Sequence, residues 1–359
     1  MFKKKNLIVT IFAFLLLAFT IYVISDTFLI TRVYSSVMAD ATQRSDDVPE
    51  VSSGSSDDKA AEDASGDEGS KASASSSGSE SSEPSKGSKD QKSSSTSNDT
   101  NTSEESSAGS SKTVETISSD TQYQDENISV NLTEYNVNDT VIYVADVQVS
   151  SAEYLKTALA QNAYGRNVTD ETSDIAEGVG AILAINGDYY GSQERGYVLR
   201  NGVLYRNIAE NGQEDLVIYE DGSFDIITET EISAEELLAN GAVQILSFGP
   251  ALVEDGSISV SVNDEVGKAK SSNPRTAIGI IDDLHYVFVV SDGRTNESEG
   301  LSLYELAQFM ESLGVSTAYN LDGGGSSTIY YNGQVINNPT TNGNSIKERK
   351  VSDIVYIGY

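Results

Sequence analysis

Residues 40–120 contain no aromatic residue and no leucine, and this stretch most constrains what the chain can fold into. Serine, aspartate, glutamate, glycine and lysine dominate it, with 18 acidic and 7 basic side chains. Such a segment cannot bury enough apolar surface to offset its ordering entropy, so we expect a disordered linker. The remaining C-terminal residues, 121–359, are long enough to form one domain with a sizeable core.

The first 39 residues contain an apolar run at positions 7–24, preceded by Lys3, Lys4 and Lys5. Its 18 residues approach the ~20 that cross a hydrocarbon core, and the basic flank predicts a cytoplasmic N-terminus. A cleaved signal peptide is the competing interpretation, although the apolar region of such peptides is usually shorter. We therefore expect residues 1–39 to form a cytoplasmic basic tip and a signal-anchor transmembrane helix. The C-terminal domain would then be extracellular, on a Gram-positive-type surface.

The residue types that the chain lacks exclude several kinds of site. It has no cysteine, one histidine, and 55 acidic against 23 basic side chains. The absence of cysteine excludes disulfides, thiolate metal ligation and a thiol nucleophile, and a single histidine excludes a metal centre that needs two. The formal net charge of -32 argues against nucleic acid as a partner, because phosphate binding needs clustered lysine and arginine.

Turn and capping signals predict hairpins interleaved with a few helices. Asn201-Gly202 and Asn332-Gly333 each lie between alternating apolar runs, which is the strongest short-range hairpin signal. Residues 215–227 and 276–290 show two further hairpin patterns with acidic turns. Ser233 and Ser302 each open an apolar periodic segment with a capping box. These elements predict an α+β fold with mixed or antiparallel sheets, and not a doubly wound parallel sheet.

Three apolar runs end in polar clusters, and strand ends lie at the rim of a sheet, where binding sites are commonly built. If these strands are neighbours, the clusters converge on one opening. The candidate residues in the three clusters are Asn186, Gly187 and Asp188, then Asp292 and Arg294, and then Asn320, Asp322, Gly323, Gly324, Gly325 and Ser326.

The run Asp322-Gly-Gly-Gly-Ser-Ser is the sharpest of these signals. Consecutive glycines let the backbone approach a ligand, and successive N–H groups can bind an anion. The run is not a Walker loop, since no lysine follows it. Arg275 and Arg294 are two of only 12 basic residues in the domain, and arginine forks bind carboxylate or phosphate. A structural salt bridge is an equally good explanation for either arginine alone.

Asp188, Asp292 and Asp322 are candidates for general acid, base or nucleophile in glycoside hydrolysis, which commonly uses a pair of carboxylates. The same three side chains could hold Ca²⁺ or Mg²⁺ through oxygen ligands. Aspartates in turns next to glycine are the structural alternative. The sequence thus leaves the roles of the three residues and a requirement for a divalent cation open.

The motifs NGDYYG, NPRTAIG, VVSDGR, LSLYELAQFM and NLDGGGSST occur in this order, and together they resemble the phosphodiester glycosidase family. The resemblance covers about residues 175–358 and is absent from the first 120. It implies hydrolysis of a sugar-1-phosphodiester of the GlcNAc-1-phosphate type. It also implies that Arg275, Arg294 and the backbone amides of the three glycines hold the phosphodiester. One or more of the three aspartates would assist water or stabilise an oxocarbenium-like centre.

Two functions are therefore expected. The first is a membrane-anchored extracellular glycosidase acting on a surface glycan or sugar-phosphate polymer, such as teichoic acid, capsule or exopolysaccharide. The alternative is a non-catalytic module that binds cell wall or exopolysaccharide. The aspartate and arginine clusters favour the enzyme, because a binding platform would rely more on exposed aromatic side chains.

Overall fold

The structure is a computed structural model that describes residues 12–23, 25, 30–36, 116–262, 272–341 and 345–359. Nearly all of the predicted linker lies outside these ranges, as do residues 7–11 and 24 of the predicted anchor. The disordered linker therefore stays a prediction. The first strand of the domain proper begins at Ile117, four residues before the predicted domain boundary.

Residues 12–23 are helical and exposed. No helix in the described ranges is long and apolar enough to cross a membrane, a crossing that takes about 20 residues. The prediction of a membrane-spanning helix at residues 7–24 is therefore wrong for the described structure.

Strands make up most of the ordered chain. In chain order they are β1 (Arg32–Ser36), β2 (Ile117–Ser118), β3 (Gln122–Gln124), β4 (Ile128–Val137), β5 (Thr140–Val149), β6 (Leu155–Leu159), β7 (Ala163–Arg166), β8 (Leu183–Asn186), β9 (Gly196–Arg200), β10 (Val203–Ile208), β11 (Glu214–Tyr219), β12 (Phe224–Thr228), β13 (Ala242–Leu246), β14 (Ala251–Glu254), β15 (Ser257–Ile258), β16 (Arg275–Asp282), β17 (His285–Ser291), β18 (Thr317–Leu321), β19 (Ile329–Tyr331), β20 (Gln334–Val335), β21 (Thr340–Thr341), β22 (Ser345–Ile346) and β23 (Asp353–Ile357).

The domain's helices are short. The α-helices are α1 (Thr172–Gly178), α2 (Ala234–Ala239) and α3 (Leu303–Ser312), and single 3₁₀ turns cover Ala152–Tyr154, Ala160–Asn162, Tyr190–Ser192 and Gly324–Ser326. The fold of the described residues is therefore mostly β, and the α+β prediction is wrong in its balance. The physical reason for this difference is that the capped segments form helices of only one to three turns, while the predicted turns connect many strands.

Three sheets build the domain, and every strand pair assigned in them is antiparallel. The nine-stranded sheet has the order β15-β14-β18-β16-β17-β5-β4-β3-β2. A five-stranded sheet, the β8 sheet, has the order β20-β19-β8-β23-β6, and another, the β9 sheet, has the order β10-β9-β13-β11-β12. Two-stranded pairs join β1 to β7 and β21 to β22.

The predicted hairpins are all present. Asn201 and Asn332 have φ values of 49° and 47°, as the tight turns between β9 and β10 and between β19 and β20 require. The β11–β12 and β16–β17 pairs are the other two hairpins. Ser302 caps α3 with both bonds of a capping box, and the Ser233 side chain accepts a hydrogen bond from the Glu236 amide at the start of α2.

The main core lies between the nine-stranded sheet and the other two sheets. Alternate residues of β17 face opposite sides, as strand geometry requires. Tyr286 and Phe288 enter the main core with Ile185 of β8, whereas Val287 and Val289 pack in a second cluster that includes the apolar face of α3. Because both faces of this sheet are covered, its strand ends are held rigidly where they meet β8.

Candidate active site

The loop that follows β8 is tied to the end of β18 through Asn186. The buried amide of Asn186 donates to the carbonyl oxygen of Asp322 (2.6 Å), and its Oδ1 accepts from Thr276 Oγ1 (2.8 Å). The Thr328 amide also donates to Oδ1. Asn186 therefore connects the β8 sheet to the nine-stranded sheet, and its hydrogen-bonding capacity is used within the protein.

Gly187 lies directly against Asp353, the first residue of β23. The Gly187 amide donates to the Asp353 carbonyl oxygen (2.9 Å). A Cβ at position 187 would lie 2.4 Å from Asp353 Oδ1, closer than any real Cβ contact. The position therefore requires glycine because of this close approach, and Gly187 supports the site without presenting a side chain to a ligand.

Asp188 is buried, with 1 % of its surface exposed. Its Oδ2 accepts from Arg200 Nη2 (2.7 Å) and from the Ser247 amide (3.0 Å), and its Oδ1 accepts from the Tyr190 amide (2.9 Å). Both oxygens are thus engaged by donors of the protein. The arrangement fixes the position of a carboxylate at the wall of a cavity.

Arg200, at the end of β9, also binds a second carboxylate. Its Nε and Nη2 lie 2.8 Å and 2.7 Å from Asp353 Oδ2. Burial lowers the pKa of Arg200, but Asp188 and Asp353 outweigh this and raise it. Burial and the negative charge of Asp188 raise the pKa of Asp353 to about 7. One guanidinium therefore serves two buried carboxyl groups, and a proton is favoured on Asp353 near neutral pH.

Asp322 lies at the end of β18, beside the glycine run. Its Oδ2 accepts from Arg349 Nη2 (2.6 Å) and from Ser326 Oγ (2.7 Å), and Arg349 Nε also donates to Ser326 Oγ. Oδ1 has no hydrogen-bond partner among the described residues. Burial raises the pKa of Asp322, and Arg349 opposes this effect. Asp322 therefore has one oxygen available for proton transfer or for attack.

The glycine run forms a tight turn against Arg294. Gly324 has φ = 65°, and a Cβ there would lie 2.9 Å from Arg294 Nη2. Its amide donates to the Pro274 carbonyl oxygen (2.8 Å). At least this one of the three glycine amides is therefore committed to the protein backbone. The run's clearest contribution is space for the guanidinium groups beside it.

The two predicted arginines lie in different environments. Arg275 is buried, and its Nε donates to the Leu301 carbonyl oxygen (2.9 Å), so it holds the wall behind the glycines. Arg294 is exposed, and its Nε and Nη2 both donate to Asn273 Oδ1. Burial and the charge of Arg349 lower the pKa of Arg294. Two guanidinium groups that repel each other in this way form a place where an anion is stabilised.

Asp188 and Asp322 line one cavity, and Asp292 and Asn320 are not among its lining residues. The Asp292 carboxylate accepts from Asn337 Nδ2, from the Asn338 amide and from Asn338 Nδ2, at 2.9–3.1 Å. The Asn320 amide donates to the Gly249 carbonyl oxygen (2.7 Å). Both residues hold neighbouring loops in place. The predicted convergence of three aspartates is therefore a convergence of two.

The cavity next to these groups has a volume of about 430 Å³ and is called the aspartate cavity here. It is lined by Thr31, Asn167, Thr169, Asp188, Tyr189, Ser192, Asp322, Arg349, Lys350, Val351 and Ser352. Tyr189 is 41 % exposed and offers an aromatic face beside the carboxylates. Two carboxylates, two cations and an aromatic ring thus surround one space large enough for a sugar and a phosphate.

Within the described ranges, no three His, Asp or Glu side chains lie together as a group that could hold a metal ion. The carboxylates of Asp188 and Asp322 are instead engaged by Arg200 and Arg349. The residues present therefore do not fit the Ca²⁺ or Mg²⁺ site that the sequence left open.

Sequence reasoning missed Arg200 and Asp353. The available signal was a charged residue within an otherwise apolar strand pattern, as in Gly196–Arg200 and Asp353–Ile357. Such residues are rarely buried unless they are paired, but the pattern does not reveal the partner.

Comparison with known proteins identifies the family of this chain. The model of the phosphodiester glycosidase family matches residues 179–358. The mouse N-acetylglucosamine-1-phosphodiester alpha-N-acetylglucosaminidase is 30% identical over 184 residues, which cover 46% of this chain and 35% of the mouse protein. An uncharacterized SPbeta prophage-derived protein of Bacillus subtilis, YomE, is 29% identical over 201 residues, 55% of this chain and 31% of that protein. The chain thus spans about a third of the length of these curated relatives.

A solved structure shares the fold. It is the catalytic domain of the zebrafish N-acetylglucosamine-1-phosphodiester alpha-N-acetylglucosaminidase, auto-inhibited by its pro-peptide. The TM-score is 0.52 at 20% identity, over 69% of this chain and 88% of that one. The family prediction is confirmed, and with it, at the level of the family, the prediction of a hydrolase acting on glycosyl phosphodiester bonds. The chain belongs to the phosphodiester glycosidase family.

Proposed function

We propose that this chain hydrolyses a sugar-1-phosphodiester of the GlcNAc-1-phosphate type, releasing the sugar and leaving a phosphate monoester on the other partner. The observation that carries the proposal is the pair Asp188 and Asp322 on one cavity, each carboxylate held by its own arginine. Glycoside hydrolysis commonly uses two carboxylates that flank the bond to be broken. Family membership and the name of the mouse relative support the choice of substrate.

The two carboxylates suit different tasks. Asp188 accepts hydrogen bonds at both oxygens and is fixed in place, so it suits electrostatic stabilisation of the positive charge that develops on the sugar ring. Asp322 has one oxygen without a hydrogen-bond partner in the described structure and a raised pKa. It is the better group to take a proton from water or to attack the anomeric carbon.

The cations beside the cavity suit the phosphate. Arg349 is 42% exposed at its side chain and lies next to Asp322, and Arg294 lies against the same glycine turn. The departing phosphate monoester gains negative charge as the bond breaks. Guanidinium groups already in position stabilise that charge without reorganisation, which lowers the barrier. A phosphate is also a good leaving group, so a strong general acid is not required.

The test measures sugar release from the methyl diester of GlcNAc-1-phosphate by the full chain and by Asp322→Asn. We expect the variant to lose at least about 100-fold in kcat. Asp146→Asn is the control, because Asp146 is a partly exposed aspartate of β5 that pairs with His285. Equal turnover in wild type and Asp322→Asn would refute the assignment. Binding of surface glycans without hydrolysis of any sugar-1-phosphodiester would favour a non-catalytic module.

We infer that the natural substrate is a glycan or sugar-phosphate polymer at an extracellular surface. The acidic, serine-rich residues 40–120 support this location, because a solvated spacer of this kind suits a domain held away from a cell surface. Growth of cells that express the full chain, followed by protease treatment of intact cells, tests it: degradation of the domain would agree with the inference, and protection would contradict it.

A further inference from the structure

A second cavity, of about 380 Å³, lies beside the aspartate cavity. Consecutive residues line the two spaces: Thr31 faces the aspartate cavity and Arg32 the second one, and Tyr189 and Tyr190 divide in the same way. The pairs at positions 166–167 and 192–193 repeat this division. The two cavities are therefore neighbours on either side of one wall.

Tyrosine rings build one side of the second cavity, which is called the tyrosine cavity here. The ring centroids of Tyr164 and Tyr190 are 5.4 Å apart in a stacked arrangement, and those of Tyr164 and Tyr205 are 5.0 Å apart. Tyr34 of β1 adds a fourth ring, 5.8 Å from Tyr164. Tyr164 and Tyr190 are buried, whereas Tyr34 is exposed and Tyr205 is half-buried. Tyr34 and Tyr205 therefore offer the flat apolar face and polar tip that suit the C–H face and the hydroxyl groups of a pyranose.

The tyrosine cavity is also cationic. Its lining includes Arg32, Arg166 and Arg206 against one carboxylate, Glu194, although residues 121–359 hold 36 acidic and only 12 basic side chains. Arg166 Nη1 pairs with Glu194 (2.8 Å), while its buried Nε has no hydrogen-bond partner in the described part of the chain. A domain this acidic repels polyanions in general, so the cluster favours an anionic ligand at this one place.

Strand β1 forms the outer wall of the tyrosine cavity. It pairs with β7, and the Asn167 side chain donates to the Ile30 carbonyl oxygen (3.1 Å). A Cβ at Gly165 of β7 would lie 2.0 Å from the carbonyl oxygen of Arg32. The approach of β1 therefore depends on the absence of a side chain at position 165.

We propose that the tyrosine cavity binds the next repeat unit of a sugar-phosphate polymer whose scissile sugar-1-phosphodiester lies in the aspartate cavity. The rings of Tyr34 and Tyr205 bind the sugar, and Arg32 and Arg166 bind the phosphodiester that links it to the next unit. This inference rests on the proposed function and narrows its substrate class to a polymer with phosphodiester-linked repeats.

The experiment compares two substrates of the full chain: the methyl diester of GlcNAc-1-phosphate, and a trimer of GlcNAc units joined by 1,6-phosphodiester bonds. We expect wild type to have a lower KM for the trimer. Arg166→Gln should raise the KM for the trimer about tenfold, the effect of one hydrogen bond to a charged group. Tyr205→Leu should raise it by about the same factor, because it removes an aromatic face from the sugar. Neither should change kcat, or the KM for the methyl diester, by more than twofold.

The control variant is Arg195→Gln, which removes an exposed arginine that pairs with Glu210 outside both cavities. It should leave both substrates unaffected. Gly165→Ala displaces β1 and should raise the KM for the trimer as the other two variants do. Faster hydrolysis of both substrates by Gly165→Ala would overturn the proposal, because β1 would then be a cover over the site. Equal KM values for the two substrates in wild type would also overturn it.

Direct binding separates failure of this proposal from failure of the proposed function. If neither substrate is hydrolysed, the proposed function fails, and calorimetric titration of the trimer decides the role of the tyrosine cavity. Binding by wild type that weakens about tenfold in Arg166→Gln would support the cavity as a polymer subsite. Binding that is absent in wild type, or unchanged in the variant, would overturn it.

Discussion

Replacement of Asp353 by asparagine should change how the stability of the domain depends on pH. Asp353 is fully buried and shares the guanidinium of Arg200 with Asp188. Its Oδ1 has no hydrogen-bond partner in the described structure. Burial first, and then the charge of Asp188, raise its pKa to about 7. The unfolded chain should bind the same proton with a pKa of about 3.9.

The direction of the effect follows from these two values. Between about pH 4 and pH 7 the folded state binds more protons than the unfolded state, so the free energy of unfolding falls as pH rises. The stabilisation is fully present below the unfolded pKa and is lost as pH rises through the folded pKa. Each unit of difference between the folded and unfolded pKa corresponds to about 1.36 kcal/mol in the free energy of unfolding. Asp353 therefore lowers the free energy of unfolding by on the order of 4 kcal/mol as the pH rises across this range.

Urea unfolding at a series of pH values from roughly 4.5 to 7.5 measures the effect, because this series covers most of the range between the unfolded and the folded pKa of Asp353. Asp353→Asn cannot release this proton, so its free energy of unfolding should fall less with pH than that of wild type. A loss of stability that is the same at every pH does not affect the slope, so it cancels when the two slopes are compared. Burial also raises the pKa values of Asp215 and Asp322, but their effect on the slope is present in both proteins and cancels as well. Asp146→Asn is the matched control. The same pH slope in Asp353→Asn and wild type would refute the reasoning.

Three further substitutions test the site. Gly187→Ala places a Cβ 2.4 Å from Asp353 Oδ1, and we expect at least about 100-fold lower kcat/KM together with a lower Tm, measured by sugar release and calorimetry; wild-type values would contradict the close approach. Arg349→Lys cannot bind Ser326 and the Asp322 carboxylate as a fork does, so kcat/KM should fall about 10- to 100-fold at unchanged Tm. Asp292→Asn replaces one of the two oxygens that accept from Asn337 and Asn338 by an NH₂ group, which faces a donor, so we expect a loss of about 2 kcal/mol in urea unfolding and a kcat within threefold of wild type.

The hairpins were predictable from sequence because their signals are local. Asn201-Gly202 and Asn332-Gly333 fix the turn geometry by themselves, and the Ser302 capping box needs only residues within one helical turn. The balance of strand and helix was less predictable. The capping signal at Ser233 marks where the helix Ala234–Ala239 begins, but it does not predict a length of only six residues.

The sequence predicted the two aspartates of the candidate site but not the buried ion pairs that hold one of them. Asp188 and Asp322 each follow an apolar strand directly, so their place at a sheet rim was visible. Asp292 shows the same local pattern, yet its carboxylate binds the loop after β20 instead. Arg200 and Asp353 meet only because β9 and β23 belong to two sheets that pack together. Such a pairing depends on the tertiary arrangement, which spacing along the chain does not encode.

The position of β8 between β19 and β23 has a consequence for how the protein reaches its native state. Ile185 pairs with Ile329 on one side and with Val355 on the other, so the strand that precedes Asp188 has only partners that are distant in sequence. Long loops must close before these contacts form, and folding rates fall as such contacts dominate. In a partly folded chain that has formed only its local hairpins, Asp188 and Asp322 would therefore not yet lie together. Recovery of activity during refolding should coincide with the slowest step in the formation of the β8 sheet, after the hairpins are complete.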